Sequence, residues 1–297
     1  MPLNYEHLMA LTFPDREFSY SERDTMLYAL AVGMGRVMPN DLAFVFEQEL
    51  QALPTQASVI AWEDGWQERT GMDIGKVVHG EQRVTLHRPL APSGRVLSKF
   101  RIAEAFDKGP GRGAVLLAET SLLDAATGEK IATLVSSVFA RGDGGFGGPS
   151  GRGPAPHIVP ERAPDRVVEV AVRPEQAMYY RLCGDRNPLH VDPAFARAAG
   201  FDRPILHGLC SWGMSAAVIV REACNGQAGR VDHFEARFTA PVYPGETLAV
   251  HLWIDGDAVS FRTKVADRDV MVLDHGLAQL TPEIQNFSNF DGKQVTV

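Results

Sequence analysis

The sequence predicts an α+β protein built from two repeats, each an antiparallel sheet wrapped around a helix, with the N-terminal repeat degenerate. Three observations carry this. The element Arg88-Pro89-Leu90-Ala91-Pro92-Ser93-Gly94 returns as Ala240-Pro241-Val242-Tyr243-Pro244-Gly245, each time ahead of an alternating apolar/polar run, 95–106 and 246–254. Residues 142–164, GDGGFGGPSGRGPAPHIVPERAP, hold too few apolar side chains to bury a core and read as a linker. One long apolar segment, 208–223, occurs in the second half alone. The division is therefore 1–141 for the degenerate repeat, 142–164 for the linker and 165–297 for the complete repeat.

Each half opens on a helix. Ser21 is placed to cap one that runs through Met26-Leu27-Tyr28-Ala29-Leu30, and 174–182 is its counterpart. Strand-like runs follow at 114–123 and 131–140 in the first half and at 258–266 and 269–280 in the second. Ala126-Thr127-Gly128 and Asp255-Gly256-Asp257 supply hairpin turns. Residues 208–223, GLCSWGMSAAVIVREA, are apolar on nearly every face, as a helix buried inside a curled sheet must be. The matching stretch near 54–69 contains Pro54 and Gly65 and no comparable helix, which leaves room in that half for a ligand.

Composition narrows the function. With 297 residues, 45% hydrophobic and 22% charged, the chain can bury a core without metal or disulfide staples. A net charge of −8 argues against nucleic acid or an anionic membrane as partner, though a local patch can still bind an anion. No apolar run is long enough to span a bilayer. The start MPLNYEHLMA lacks the basic and apolar regions of a signal peptide, and Gln294-Val295-Thr296-Val297 is not a peroxisomal address. Cys183, Cys210 and Cys224 form no CxxC and are expected as reduced thiols, so a cytoplasmic setting is expected.

The chemistry concentrates in LCGDRNPLHVDPAFARAAGF, 182–201. Pro188 forbids a continuous helix from Asp185 to His190, so both sit on a turn. A helix restarts with Asp192 as cap and Pro193 at its first position, and Gly200 ends it. A carboxylate and an imidazole held this way can share one water and move its proton, with Asn187 between them to orient water or carboxylate. Pro204-Ile205-Leu206-His207-Gly208-Leu209 leads into the apolar helix and puts the Gly208 amide at its N-terminus, where negative charge on a carbonyl oxygen is stabilised. Laying Tyr28–Gly33 over Tyr179–Gly184 sets Met34 opposite Asp185 and Pro39 opposite His190, so one active site per chain is expected.

These segments together resemble the hydratase 2 signature of MaoC-like proteins, and the likeness runs through nearly the whole chain. His79-Gly80-Glu81-Gln82, Arg88-Pro89-Leu90 and Asp107-Lys108-Gly109 resemble the family's degenerate first repeat, Gly144–Gly148 its interdomain segment, and Arg237–Val242 with Pro244–Thr247 its C-terminal strand. The resemblance implies a double hot-dog fold and the reversible, (3R)-specific addition of water to a trans-2-enoyl-CoA. It implies Asp185 and His190 as the acid/base pair, Asn187 as their polar support and the Gly208 amide as oxyanion donor. His79, Gly80, Lys108 and Phe238 are implied as acyl-CoA contacts; Arg186, at a variable position, meets CoA phosphates or only solvent. A homodimer is expected, with acyl-CoA as the substrate and no cofactor. No metal is expected either, since the other histidines (His7, His87, His157, His207, His233, His251, His275) show no HxH or HxxxH spacing.

Medium, long or bulky acyl chains of fatty-acid metabolism are the expected substrates. Dehydration of acyl carrier protein-linked or specialised acyl-CoA substrates is the nearest alternative, and a hot-dog thioesterase a more distant one. A non-catalytic acyl-CoA-binding subunit is a reading of another class. It needs neither Asp185 nor His190, so their presence counts against it.

Overall fold

The computed structural model describes residues 3–63, 65–151 and 153–282, so the C-terminal tetrapeptide read for a targeting address lies outside the described residues. Ten strands form one antiparallel sheet: β1 (Arg16–Tyr20), β2 (Val77–Leu86), β3 (Gly94–Asp107), β4 (Ala114–Asp124), β5 (Lys130–Ala140), β6 (Arg166–Ala171), β7 (Val231–Phe238), β8 (Thr247–Asp255), β9 (Ala258–Val265) and β10 (Val270–Leu280). Their order is β1-β3-β4-β5-β2-β7-β10-β9-β8-β6, so each half supplies five neighbouring strands and β2 joins β7 at the centre. That junction is two-fold symmetric in register: Glu81 faces Arg237 and Thr85 faces His233, about a central Arg83–Glu235 pair. With that pair as the centre the copies are offset by 152 residues, and the same offset takes Pro89 to Pro241.

Among the described residues seven α-helices accompany the sheet: α1 (Tyr5–Ala10), α2 (Glu22–Ala31), α3 (Leu42–Val45), α4 (Ala57–Ile60), α5 (Gln176–Tyr180), α6 (Pro193–Ala198) and α7 (Gly208–Ala223). Ser21 and Asp24 close α2 with a reciprocal capping box. α7 has the span its apolar sequence predicts, and every residue from Leu209 to Val220 is buried. It lies against β7, β8 and β9, with Trp212 on Phe234 and Phe234 stacked on Phe261, both at 5.0 Å. α2 of the first half crosses α7 at Gly213, where a Cβ would stand 2.6 Å from Val32. Only glycine allows this approach.

In the first half a 3-10 turn (Pro54–Gln56) and the four-residue α4 stand where α7 stands in the second. Strands β1, β2, β6 and β7 go beyond the runs read from the sequence. β1 and β6 are short edges, and β2 begins with a bulge between His79 and Glu81 that interrupts its alternation.

The glycine-rich stretch connects the halves while bonded to both. The Asp107 carboxylate accepts the N–H groups of Gly145 and Gly147, and the His157 ring meets Ser260 Oγ. A second tie is the carboxylate of Asp41, which is fully buried. It takes two bonds from Arg221 near the end of α7 and the N–H groups of Arg36 and Val37. This loop is the first-half counterpart of the catalytic loop, and its carboxylate holds structure together.

Candidate active site

The loop between α5 and α6 brings Asp185 and His190 together. Gly184 has φ +152, and a Cβ there would lie 2.9 Å from the Cβ of Trp62, so a first-half tryptophan seats the loop. Pro188–His190 form one 3-10 turn capped by Asn187, whose Oδ1 accepts the Leu189 N–H at 3.0 Å. The Asn187 side chain is exposed and engaged in this cap. It is the Asn187 backbone N–H that donates to Asp185 Oδ1, at 3.0 Å. Asp192 caps α6 through the N–H groups of Ala194 and Phe195, which anchors the far end of the loop.

His190 is buried, and its Nδ1 lies 2.9 Å from the carbonyl oxygen of Ile205. A carbonyl can only accept, so Nδ1 carries the ring hydrogen and Nε2 presents a lone pair. That lone pair is 4.0 Å from Asp185 Oδ2. The gap is too long for a direct hydrogen bond and suits one bridging water. Burial lowers the His190 pKa, and the Ile205 carbonyl and Asp185 charge oppose that shift only in part.

His207, to which sequence spacing assigned no role, completes the cluster. Its ring stacks on His190 at 3.7 Å and 26°, and its Nε2 lies 3.1 Å from the Asp185 backbone oxygen. Asp185, His190 and His207 thereby offer three metal-type ligand atoms within 4.8 Å of one another, a grouping the sequence spacing does not show. Nδ1 of His190 and Nε2 of His207 face carbonyls, which leaves Nε2 of one ring and Nδ1 of the other as the remaining ring nitrogens.

Burial pushes His207 down to about 3 and His79 to about 4. Both stay neutral in the folded protein and would charge below about pH 6.5 once unfolded. Their stabilising contribution is complete above that pH and is lost as pH falls through the interval down to those values. Unfolding melts should therefore show a lower Tm at pH 5 than at pH 7.5, with His207 alone accounting for about 2 kcal/mol.

Gly208 is the first residue of α7, so its N–H has no acceptor within the helix. A Cβ on it would meet the Phe238 ring at 3.1 Å, and Phe238 in turn lies 4.7 Å from the His79 ring. Gly80, in the β2 bulge, has the Ser137 carbonyl 3.3 Å from where a Cβ would be. His190, His207, Gly208, Phe238 and His79 thus form one continuous line across the junction of the halves. Lys108 lies just beyond the end of β3, with Nζ 4.6 Å from the centre of the Phe139 ring, and Phe139 pairs with Val78 beside His79. Arg186 is exposed on the catalytic loop.

The two-fold offset maps His79 onto Val231 and Phe238 onto Leu86. At that mirrored position a cavity of about 150 Å³ is lined by Leu86, Val231, Leu50, Pro54, Pro89 and Leu90, among others. Where the active site has His79 and Phe238, this cavity has the aliphatic Val231 and Leu86. Met34, opposite Asp185 in the repeat, is buried.

Comparison with known proteins agrees with this layout. Residues 157–275 match the MaoC like domain, and residues 18–142 match the MFE-2 hydratase 2 N-terminal domain. Over 291 residues the chain is 40% identical to the enoyl-CoA hydratase ChsH3 of Mycobacterium tuberculosis, covering 95% of this chain and all of the relative. A MaoC-like dehydratase from Phytophthora capsici superposes with a TM-score of 0.84 at 30% identity, over 95% of this chain and 99% of its own. In fold alone, a Mycobacterium tuberculosis protein described as a double hotdog superposes at 0.55 and 17% identity, over 91% and 96%.

Proposed function

Since the chain belongs to the MaoC-like hydratase 2 family, whose enoyl-CoA hydratases are hydro-lyases, we propose that Asp185, His190 and the Gly208 amide carry out its (3R)-specific hydration of trans-2-enoyl-CoA to (3R)-3-hydroxyacyl-CoA. The observation that carries this assignment is the 4.0 Å separation of Asp185 Oδ2 and His190 Nε2, beside the N-terminus of a buried helix.

A water in that gap is held by both groups. Neutral His190 takes its proton at Nε2 while the oxygen bonds to C3 of the enoyl chain, and the Asp185 carboxylate steadies the imidazolium that forms. Charge moves onto the thioester oxygen, where the Gly208 N–H and the helix dipole receive it. Collapse of the enolate takes the proton from His190 to C2. The pair ends as it began, and the product has gained one water. Hydroxyl and proton come from one side, so the geometry favours addition to a single face.

In the same proposal His79, Gly80 and Phe238 contact the acyl-CoA near its thioester, Lys108 and Arg186 meet its phosphates, and neither metal nor cofactor takes part. The shortened helix of the first repeat and the cavity of about 150 Å³ beside it favour medium, long or bulky acyl chains. Free thiols at Cys183, Cys210 and Cys224 suit the cytoplasm, and the open edges of β1 and β6 suit a homodimer.

Hydration rates across enoyl-CoA chain lengths, with chiral analysis of the product, test the proposal. The expected result is (3R) product and faster turnover of decenoyl-CoA than of crotonyl-CoA. A (3S) product would overturn the site assignment, and a strict four-carbon preference would overturn the chain-length reading.

A further inference from the structure

We propose that His207 is a positioning residue for the hydration step, one ring that holds the Asp185 main chain, the His190 imidazole and the start of α7 in mutual register.

The three groups that act on the substrate come from three pieces of chain: the loop at Asp185, the 3-10 turn at His190 and the first residue of α7. His207 touches all of them. Its Nε2 meets the Asp185 carbonyl at 3.1 Å, its face covers His190 at 3.7 Å, and its own peptide bond leads directly into Gly208. Because the carbonyl can only accept, Nε2 carries the ring hydrogen and Nδ1 is left as a bare acceptor. That atom is buried and has no hydrogen-bond partner among the described residues. The opposite neighbour is Tyr180, whose ring lies 4.9 Å away and whose hydroxyl is likewise buried without a partner.

An aromatic residue needed only to fill space would not leave a polar atom unsatisfied here, because such an atom costs stability. Phenylalanine would pack as well at lower cost. The side chain that bears this cost also provides a hydrogen bond from its ring to the main chain of the catalytic carboxylate. Proton transfer needs its partners placed to within a fraction of an ångström, so a group that fixes their spacing acts on turnover more than on binding.

The inference rests on the hydration reading above. His207→Phe keeps the ring and the stacking and removes the hydrogen bond; His207→Gln restores an amide donor that reaches the Asp185 carbonyl. With decenoyl-CoA, H207F should fold and lose kcat by a factor of about 100 while KM moves less than about threefold, and H207Q should recover at least about tenfold of that loss. Retention of kcat by H207F, or a loss in folded H207F that H207Q does not relieve, overturns the proposal. If H207F fails to fold, H207Q decides alone: kcat within about tenfold of the parent supports the proposal, and any larger loss in the folded variant overturns it. A failure of the hydration reading itself looks different, since the unsubstituted protein would then turn over no enoyl-CoA.

Discussion

Replacing Asp185 by asparagine should lower hydration by about three to four orders of magnitude while leaving the fold in place. Asparagine has the shape of aspartate, and its Oδ1 can still accept the Asn187 N–H that ties the loop. What it loses is the charge that steadies an imidazolium across 4.0 Å and the second acceptor for water. His190→Asn makes the complementary cut. The Asn Nδ2 can stand in for the ring Nδ1–H that donates to the Ile205 carbonyl, while nothing replaces Nε2. A fall of the same order is expected. The double variant should be hardly slower than either single one, because two groups sharing one water act as a unit. Steady-state kinetics beside thermal melts check this. Activity surviving in both folded single variants would remove the pair from the mechanism and favour a binding role.

The same pair shows how much was legible in the sequence. Pro188 ruled out helix, Asp192-Pro193 announced the next one, and a carboxylate and imidazole five residues apart on so short a turn had to approach each other. α7 was equally plain, since sixteen residues apolar on nearly every face have few other destinations. These signals are local, and local signals survive in a linear reading.

What was not legible depends on distant chain. The stacking of His207 on His190 needs two segments brought together by α6, and no spacing rule anticipates a ring plane. Trp62 lies in a first-half stretch of mixed composition, and its place behind Gly184 follows only from the packing of one half on the other. β2 and β7 were only partly visible. The bulge after His79 breaks the alternation of one, and charged pairs such as Arg83–Glu235 across the junction look solvent-facing in sequence. Asn187 was legible by position, and the structure adds that its Oδ1 caps the turn while its backbone N–H meets the Asp185 carboxylate.

The largest effect outside the pair is expected at Gly208, where two substitutions separate a lost amide from added bulk. Proline is favoured at the first position of a helix, and His207 before it has φ −56 and ψ 132, a conformation that tolerates a following proline. Gly208→Pro should therefore fold while deleting the N–H assigned to the thioester oxygen. Loss of one such donor lowers kcat by about 100- to 1000-fold. Gly208→Ala keeps the N–H and sets a methyl 3.1 Å from Phe238, a ring that has to give by a few tenths of an ångström. Its penalty should fall mostly on KM, because the acyl-CoA is crowded while the charge on its oxygen is still met. Equal kcat losses in the two variants would mean that space alone is required at Gly208. A proline variant as fast as the parent would place the oxyanion donor elsewhere on the line from His190 to His79.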